Sequence, residues 1–570
     1  MNPAHLRVLI LGGYGTFGGR LAQLLIDEPR LTLIIAGRSR AKAEAFCSGL
    51  RGKAGSEPLA CDRDGDLAAV IGSTGADIVV DATGPFQVYG DDPYRVVKAA
   101  LAAGISYIDL SDGADFVAGI AAFDDEARAK GCFVLSGASS FPVLTAAVTR
   151  KLAADGTAVA TITGGVAPSP HAGVGLNVIR AIASYAGRPI GLRRDGRDGE
   201  GHALVETWNR TIAPPGHLPL RRTRFSLVDV PDLRELPRLW PAVRSVWMGA
   251  GPVPEIWHRG LNLLALLVRW KVLPSLTFLA PLFHAVIDRL AWGEHRGGMV
   301  VEMTGAAPDG RPVARSWHLA AEGDGGPFIP SMAVEALIRH QLDGRIPAAG
   351  ARSAATALEL EDYEPAFAGR GIVHGFRDDA AEAAATSLYR RLLGSAFEAL
   401  PAPLRAMHGD APRFVARGRA RVERGSGPFA RVAAALIGFP AAGEDVPVEV
   451  VFERTPGREV WRRTFAGRCF SSVQEAGTGR AAHLLVERFG VARFDLALVA
   501  EAGRLKLIPR RWSVLGIPLP LALAPGGDAF ETVVDGKFHF HVEIGHRLFG
   551  LAVRYRGWLE PVADDLPQGG

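Results

Sequence analysis

At 570 residues the chain is too long for one hydrophobic core, and roughly two to four domains are expected. With 48% apolar and 22% charged residues it is neither disordered nor fibrous, and a net charge of +4 without a long basic run argues against a nucleic-acid partner. Its four cysteines, Cys47, Cys61, Cys132 and Cys469, form no CxxC pair and no metal spacing with histidine, so reduced thiols and no metal site are expected.

The N-terminus opens directly on an apolar strand and lacks the charged, apolar and cleavage regions of a secretion signal, which points to the cytoplasm. Short apolar strands at 8–11, 31–36, 58–61, 78–82, 107–110 and 133–136 alternate with helical patterns at 16–26, 40–50, 93–103 and 122–130. That alternation predicts an α/β unit with a parallel, doubly wound sheet, whose ligand lies beyond the carboxyl ends of the strands. The first strand stops at "GGYGTFGG". Gly13-x-Gly15-x-x-Gly18 and Gly12-x-x-Gly15-x-x-Gly18 both fit a dinucleotide fingerprint: one glycine for the tight turn, one for close approach of a pyrophosphate, one for helix packing. Tyr14, Thr16 and Phe17 complete the candidate turn.

At the end of the second strand an NAD-binding unit usually carries an acid for the ribose hydroxyls. Here Gly37 is followed by Arg38, Ser39 and Arg40, a set suited to a 2′-phosphate, so NADP (as NADPH) is expected over NAD. Asp62, after the third strand, and Ala82, Thr83, Gly84, Pro85 and Phe86, after the fourth, join the cofactor candidates. Tyr89, Ser111, Asp112, Ser139 and Ser140 follow strand ends and are candidates for handling a proton. Tyr94-x-x-x-Lys98 has the spacing of a short-chain dehydrogenase pair but falls one unit too early, and reads as a coincidence.

The GGYGTFG turn, the AGR after the second strand, TGPF followed by YG, and the YIDLSD strand resemble the saccharopine dehydrogenase-like NADP-binding oxidoreductases. The resemblance covers residues 1–145. It implies a Rossmann domain followed by an α+β substrate domain, and an activity ranging from saccharopine reduction to enoyl reduction on long acyl chains. The last third, with "YRRLLGSAFEALP", "WRRTFAGRCFSS" and "FHFHVEIGHRLFGLAVRYRGWL", resembles a bacterial domain family of unknown function.

Residues 146–380 read as an α+β substrate or dimerisation domain, with a hairpin turning at Pro308-Asp309-Gly310 and "HAGVGLNVIRAIASYAGRP" as a glycine turn entering a helix. Within it, 261–292 is strongly apolar, broken by Arg269, Lys271, Pro274 and Pro281 and flanked by tryptophans. It is short for a membrane span. A core or homodimer-interface helical pair, an interfacial membrane hairpin and a lid over an apolar pocket all fit it. Residues 381–570 read as a mostly-β domain after one helix at 383–399, with strands at 448–453, 459–465, 497–500, 505–509 and 538–544. Along 538–544 Phe538, Phe540, Val542 and Ile544 alternate with His539, His541 and Glu543, as a sheet curled around an apolar cavity would require. His539-x-His541 lacks a third metal ligand.

These features point to an NADP-dependent oxidoreductase reducing a C=O, C=N or C=C bond in an apolar or lipid-linked small molecule, located in the cytoplasm or peripherally on the inner face of the membrane. Two alternatives stay open: a non-catalytic NADP-binding protein whose C-terminal domain carries a lipid or contacts a partner, and a saccharopine-type amino acid dehydrogenase.

Overall fold

The computed structural model describes residues 5–173, 175–251, 255–289, 292–385, 387–427, 439–546 and 550–562. The chain divides into two compact units, one of residues 1–210 with 223–373 and one of residues 211–222 with 374–570. The boundary expected at 380/381 therefore lies a few residues earlier, and a central segment belongs to the second unit.

The first unit begins with strands β1 (Leu6–Leu11), β2 (Leu31–Gly37), β3 (Gly55–Ala60), β4 (Ile78–Asp81), β5 (Ser106–Asp109) and β6 (Phe133–Ser136). They form an all-parallel sheet in the order β6-β5-β4-β1-β2-β3. Val8, Leu9, Ile10, Val79 and Val80 are fully buried, as strands covered on both faces must be. Chain order reverses between β1 and β4, which opens a crevice at their carboxyl ends.

A second sheet is built from β7 (Ala158–Ala167), β10 (Thr207–Arg210), β11 (Thr223–Leu227), β12 (Ser245–Ala250), β13 (Arg296–Ala306), β14 (Pro312–Glu322) and β16 (Ile372–Asp378), in the order β10-β11-β12-β7-β13-β14-β16. It is mixed: β12 runs parallel to β7, β13 antiparallel. The expected hairpin is β13–β14, pairing Ala306 with Pro312 across the turn. A small hairpin, β8 (Pro189–Arg194) with β9 (Arg197–His202), stands apart. β15 (Gly350–Ser353) returns to the first sheet and pairs in parallel with β6.

The apolar segment forms two helices, Glu255–Arg269 and Ala280–Arg289, joined by a turn that includes Lys271 at φ 61°. One side is anchored: His258, Ala265, Val268, Leu276 and Ala280 are buried. The other faces outward, with Trp270, Val272 and Phe278 each more than 60% exposed and Trp257, Leu263, Leu282 and Trp292 also exposed. Among the described residues no helix is long and apolar enough to cross a membrane.

The second unit is an antiparallel barrel. Its strands are β17 (Arg413–Arg424), β18 (Gly443–Thr455), β19 (Arg458–Phe465), β20 (Arg468–Ala476), β21 (Leu485–Phe489), β22 (Ala492–Glu501), β23 (Arg504–Val514), β24 (Ile517–Leu519), β25 (Ala529–Val534), β26 (Lys537–His546) and β27 (Gly550–Pro561). The order β22-β21-β20-β19-β18-β17-β27-β26-β25-β23 closes through β22–β23, with β24 paired outside on β23. The β25–β26 turn carries Asp535 at φ 50° and Gly536 at φ 75°, the paired left-handed residues of a tight hairpin. The single helix expected at 383–399 is instead two, Asp379–Ala384 and Leu388–Leu393, followed by a short 3₁₀ turn. Ser387 Oγ accepts from the Arg390 amide at 3.2 Å and starts a new helix there, and Gly394 at φ 55° ends it.

Candidate functional site

The glycine turn lies at the β1–β4 crevice. The Gly15 amide donates to Gly12 O at 2.8 Å and the Gly13 amide to Ala36 O at 3.0 Å, which ties the turn to β2. Gly12 sits at φ +73°, and a Cβ there would meet Ala82 O at 2.8 Å. A Cβ on Gly18 would meet Gly12 O at 2.4 Å, so helix Thr16–Leu25 approaches the turn only because Gly18 has none. Gly15 immediately precedes that helix, whose first amides are free of intrahelical partners.

A cleft of about 770 Å³ runs along this edge. Of the cofactor candidates, Gly12, Tyr14, Gly15, Thr16, Phe17, Arg38, Asp62 and the stretch from Ala82 to Phe86 line it. Gly13 and Gly18 support the turn from behind. The Arg38 guanidinium is exposed in the cleft and makes no hydrogen bond or ion pair with any described residue. Ser39 and Arg40 do other work. The Ser39 amide donates to the Tyr14 hydroxyl at 3.0 Å and its Oγ accepts from the Lys42 amide, capping helix Arg40–Gly49. Arg40 turns to Glu44, one helical turn on, at 2.9 Å, and does not line the cleft.

The proton-handling candidates separate in the same way. Tyr89, Asp112, Ser139 and Ser140 line the cleft. Ser111 is fully buried below it, where its Oγ accepts from the Gly113 amide at 3.2 Å. Asp112 Oδ1 accepts from Gln87 Nε2 at 3.0 Å, and withdrawal from water raises its carboxyl above the ordinary range. Tyr89 donates to the buried Asp81 at 2.7 Å and lies under the Arg63 guanidinium, 3.8 Å from the ring centroid. Thr83 Oγ1 donates to the other oxygen of Asp81 at 2.6 Å. Burial raises the Asp81 carboxyl and pushes the Tyr89 phenol well up. Tyr94 and Lys98 are engaged elsewhere, Tyr94 with Phe116 O and Lys98 with Asp92.

Some lining residues escape the sequence reading. Gly175, Asn177 and Arg180 enter the cleft from helix Leu176–Tyr185, and Asn177 Nδ2 donates to Gly84 O at 3.3 Å. The signal was the glycine turn entering that helix, but nothing in the sequence says that it reaches the first sheet. Arg180, like Arg38, makes no hydrogen bond or ion pair with any described residue. Phe141, Val166, Leu176 and Val178 make the same stretch of wall apolar.

The residues fit a nicotinamide dinucleotide: a glycine cradle that a Cβ would fill, a helix start facing the cleft, and a free guanidinium after β2. Residues 8–135 match the family described as the saccharopine dehydrogenase NADP binding domain, and residues 400–559 match a domain family of unknown function. No curated protein matches the chain. Among solved structures, saccharopine dehydrogenase (L-Glu forming) from Saccharomyces cerevisiae is 13% identical, covering 65% of this chain and 99% of its own, with a TM-score of 0.44. Biliverdin reductase from Synechocystis, in complex with biliverdin and NADP+, is 14% identical over 64% of this chain and 96% of its own, with a TM-score of 0.29. GenD2 from gentamicin A biosynthesis, in complex with NAD, is 14% identical over 65% and 96%, with a TM-score of 0.31. Residues 8–135 are thus similar to a saccharopine dehydrogenase-type NADP binding domain, and the glycine cradle lies within them.

Proposed function

We propose that the protein is an NADP-dependent oxidoreductase acting on an apolar or lipid-linked carbonyl, imine or enoyl compound. The observation that carries the cofactor choice is Arg38: an unpaired guanidinium at the place where an NAD-binding unit holds a carboxylate. When bound, the nicotinamide gives or takes the hydride. The chain's own part is to bind, orient and handle a proton. Arg38 holds the 2′-phosphate, and the Gly12–Phe17 turn receives the pyrophosphate. Asp112, oriented by Gln87 and with its carboxyl raised by burial, exchanges the accompanying proton.

The apolar stretch of wall from Phe141, Val166, Leu176 and Val178 supports an apolar substrate body. Arg180 offers one cation beside it, whereas a substrate with several carboxylates needs several. The outward face of the helical pair supports a route for such a substrate. Trp257, Trp270, Val272, Phe278, Leu282 and Trp292 rest on the surface of an anionic bilayer, on the inner face of the membrane, with Arg269 and Lys271 at headgroup level.

Calorimetry with NADPH and NADH, followed by NADPH fluorescence in the presence of a membrane lipid extract, tests this reading. Tighter NADPH binding with consumption on adding lipid is expected. Equal affinities reject the role of Arg38. Binding without consumption by any lipid fraction turns the protein into a carrier.

A further inference from the structure

The barrel of the second unit surrounds a cavity of about 170 Å³ that opens to solvent. Its wall is made by alternate residues of successive strands, among them Val450 and Phe452 on β18, Leu496 on β22, Leu507 on β23, and Phe540 and Val542 on β26. Tyr389 and His408, stacked at 3.8 Å, pack into the barrel core: Tyr389 donates to Gln474 at 3.3 Å, and His408 Nε2 lies 2.6 Å from Glu531 Oε2. Elsewhere Phe489, Phe494, Leu507, Val542 and Ile544 line the same cavity and are only half-buried, so its wall leaves apolar surface uncovered.

Polar groups interrupt this wall at Glu531, which faces His408 Nε2, at Glu543, which accepts from Arg554 Nε at 2.7 Å, and in a cluster on three neighbouring strands. Glu487 Oε1 on β21 accepts from Ser472 Oγ at 2.7 Å and Gln474 Nε2 at 3.0 Å on β20, and from Arg463 Nη2 at 3.2 Å on β19. Glu487 Oε2 has no hydrogen-bond partner among the described residues. Arg463 also donates from Nη1 to Ser472, which leaves three of its N–H groups unused by the described residues. Its guanidinium is held 4.8 Å from the centroid of the Trp461 ring. Arg463 and Glu487 both line the cavity.

Size and charge together restrict what fits. A cavity of roughly 150 Å³ holds a benzene ring, so this one takes an aromatic ring or a short alkyl chain. Arg463 and Glu487 already balance each other, Glu543 is paired with Arg554 and Glu531 is held by His408, so each charged group of the wall has its partner and a charged ligand would add a net charge against apolar walls, which is strongly disfavoured. A hydroxyl is neutral and both donates and accepts, so it satisfies Glu487 Oε2 and a spare Arg463 N–H together.

We propose that the barrel interior is a binding site for a neutral apolar alcohol, with Glu487 and Arg463 as its headgroup contacts. The site lies within the second unit.

The test is a titration of the full-length protein with the small neutral dye naphthalene, followed by its fluorescence, and then competition with octanol, the isomeric methyl heptyl ether and octanoate. One saturable dye site per chain is expected. Octanol should displace the dye at about tenfold lower concentration than either the ether, which cannot donate, or the anion. Leu507→Trp and Val542→Trp fill the cavity from different strands and should each abolish that site, with the fold checked by circular dichroism. No saturable binding overturns the proposal, and so does an ether or octanoate that competes as well as octanol. Binding that survives in both folded variants assigns the dye to the exposed helical pair and overturns it too. If neither variant folds, the order of the three competitors on the wild type decides.

Discussion

Tyr89 donates its phenolic hydrogen to Asp81 Oδ2 at 2.7 Å, and the two side chains join the end of β4 to the loop that follows it. Asp81 is fully buried, and its nearest other donor to that oxygen is the Tyr107 hydroxyl at 3.5 Å. Removing the Tyr89 hydroxyl strands one side of a buried carboxyl. Tyr89→Phe should therefore lower stability by about 1–3 kcal/mol in urea unfolding. A change within about 0.5 kcal/mol, the size of an ordinary surface effect, would mean that water or Tyr107 satisfies Asp81 as well.

Arg38→Ala should weaken NADPH binding roughly ten- to a hundredfold, the loss of one charge-assisted contact, and leave NADH binding nearly unchanged. Calorimetry with both cofactors checks it. Equal losses would mean that Arg38 shapes the cleft and does not read the phosphate.

Asp112→Asn keeps the hydrogen-bonding shape beside Gln87 and removes the titrating proton. Turnover should fall about a hundredfold or more, within the range of general acid–base catalysis. The limb of the pH–rate profile that reports a raised carboxyl pKa should vanish, while NADPH affinity stays within about twofold. A profile that keeps its shape would move the proton transfer to another group, with Ser139 and Ser140 next in the cleft.

Asp109 is fully buried at the end of β5, and burial pushes its carboxyl up to about 7 despite the amides of Gly137 and Ser111 at 2.7 and 2.9 Å. Its ordinary value is 3.8, so between those values the folded state holds a proton that the unfolded chain releases. The contribution is full below pH 4 and is lost as pH rises through 7, at roughly 1.4 kcal/mol per pKa unit. Asp109→Asn removes that dependence. The stability difference in favour of the variant should widen from about pH 5 to about pH 8, measured as urea midpoints. A constant difference would show that Asp109 is already ionised in the folded state throughout that range.

The helical pair yields a prediction on the surface. Phe278→Asp with Leu282→Asp should abolish flotation of the protein with anionic liposomes, because both side chains are more than half exposed and each exposed Å² buried in lipid contributes roughly 25 cal/mol. Leu276, in the middle of the same segment, is fully buried, so Leu276→Asp should destabilise the fold and is no test of the surface. A wild type that never floats but sediments as a dimer would assign this face to a second copy.

Much of this architecture is written locally. Strands β1, β2 and β4 read directly because both of their faces are buried, and the alternation from Phe538 to Ile544 marked the inner wall of the barrel because one face is. The glycine turn read as a tight turn into a helix because Gly12, Gly13 and Gly18 leave no room for a Cβ. What failed to read is long-range. Closure of the barrel through β22–β23 is a pairing, and pairings leave no periodicity. Arg40 looked like a phosphate ligand, but its spacing to Glu44 already described a helix-face ion pair. Arg180 lies in a helix about 140 positions beyond Arg38, and only the folded chain shows that both reach one cleft.

The four residues of β15, the seventh strand of the first sheet, belong to none of these sites, yet they set a schedule for the protein's synthesis. Gly350 pairs with Phe133, so the neighbour that covers the outer edge of β6 is translated roughly two hundred residues after β6 itself. At about 5–20 residues per second, that edge waits on the order of ten to forty seconds on the ribosome with its backbone groups unpaired. A nascent chain stalled after the N-terminal strands should therefore be bound by chaperones, and one released beyond Ser353 should not. Truncations ending near residue 145 should aggregate for the same reason, whatever their affinity for the dinucleotide.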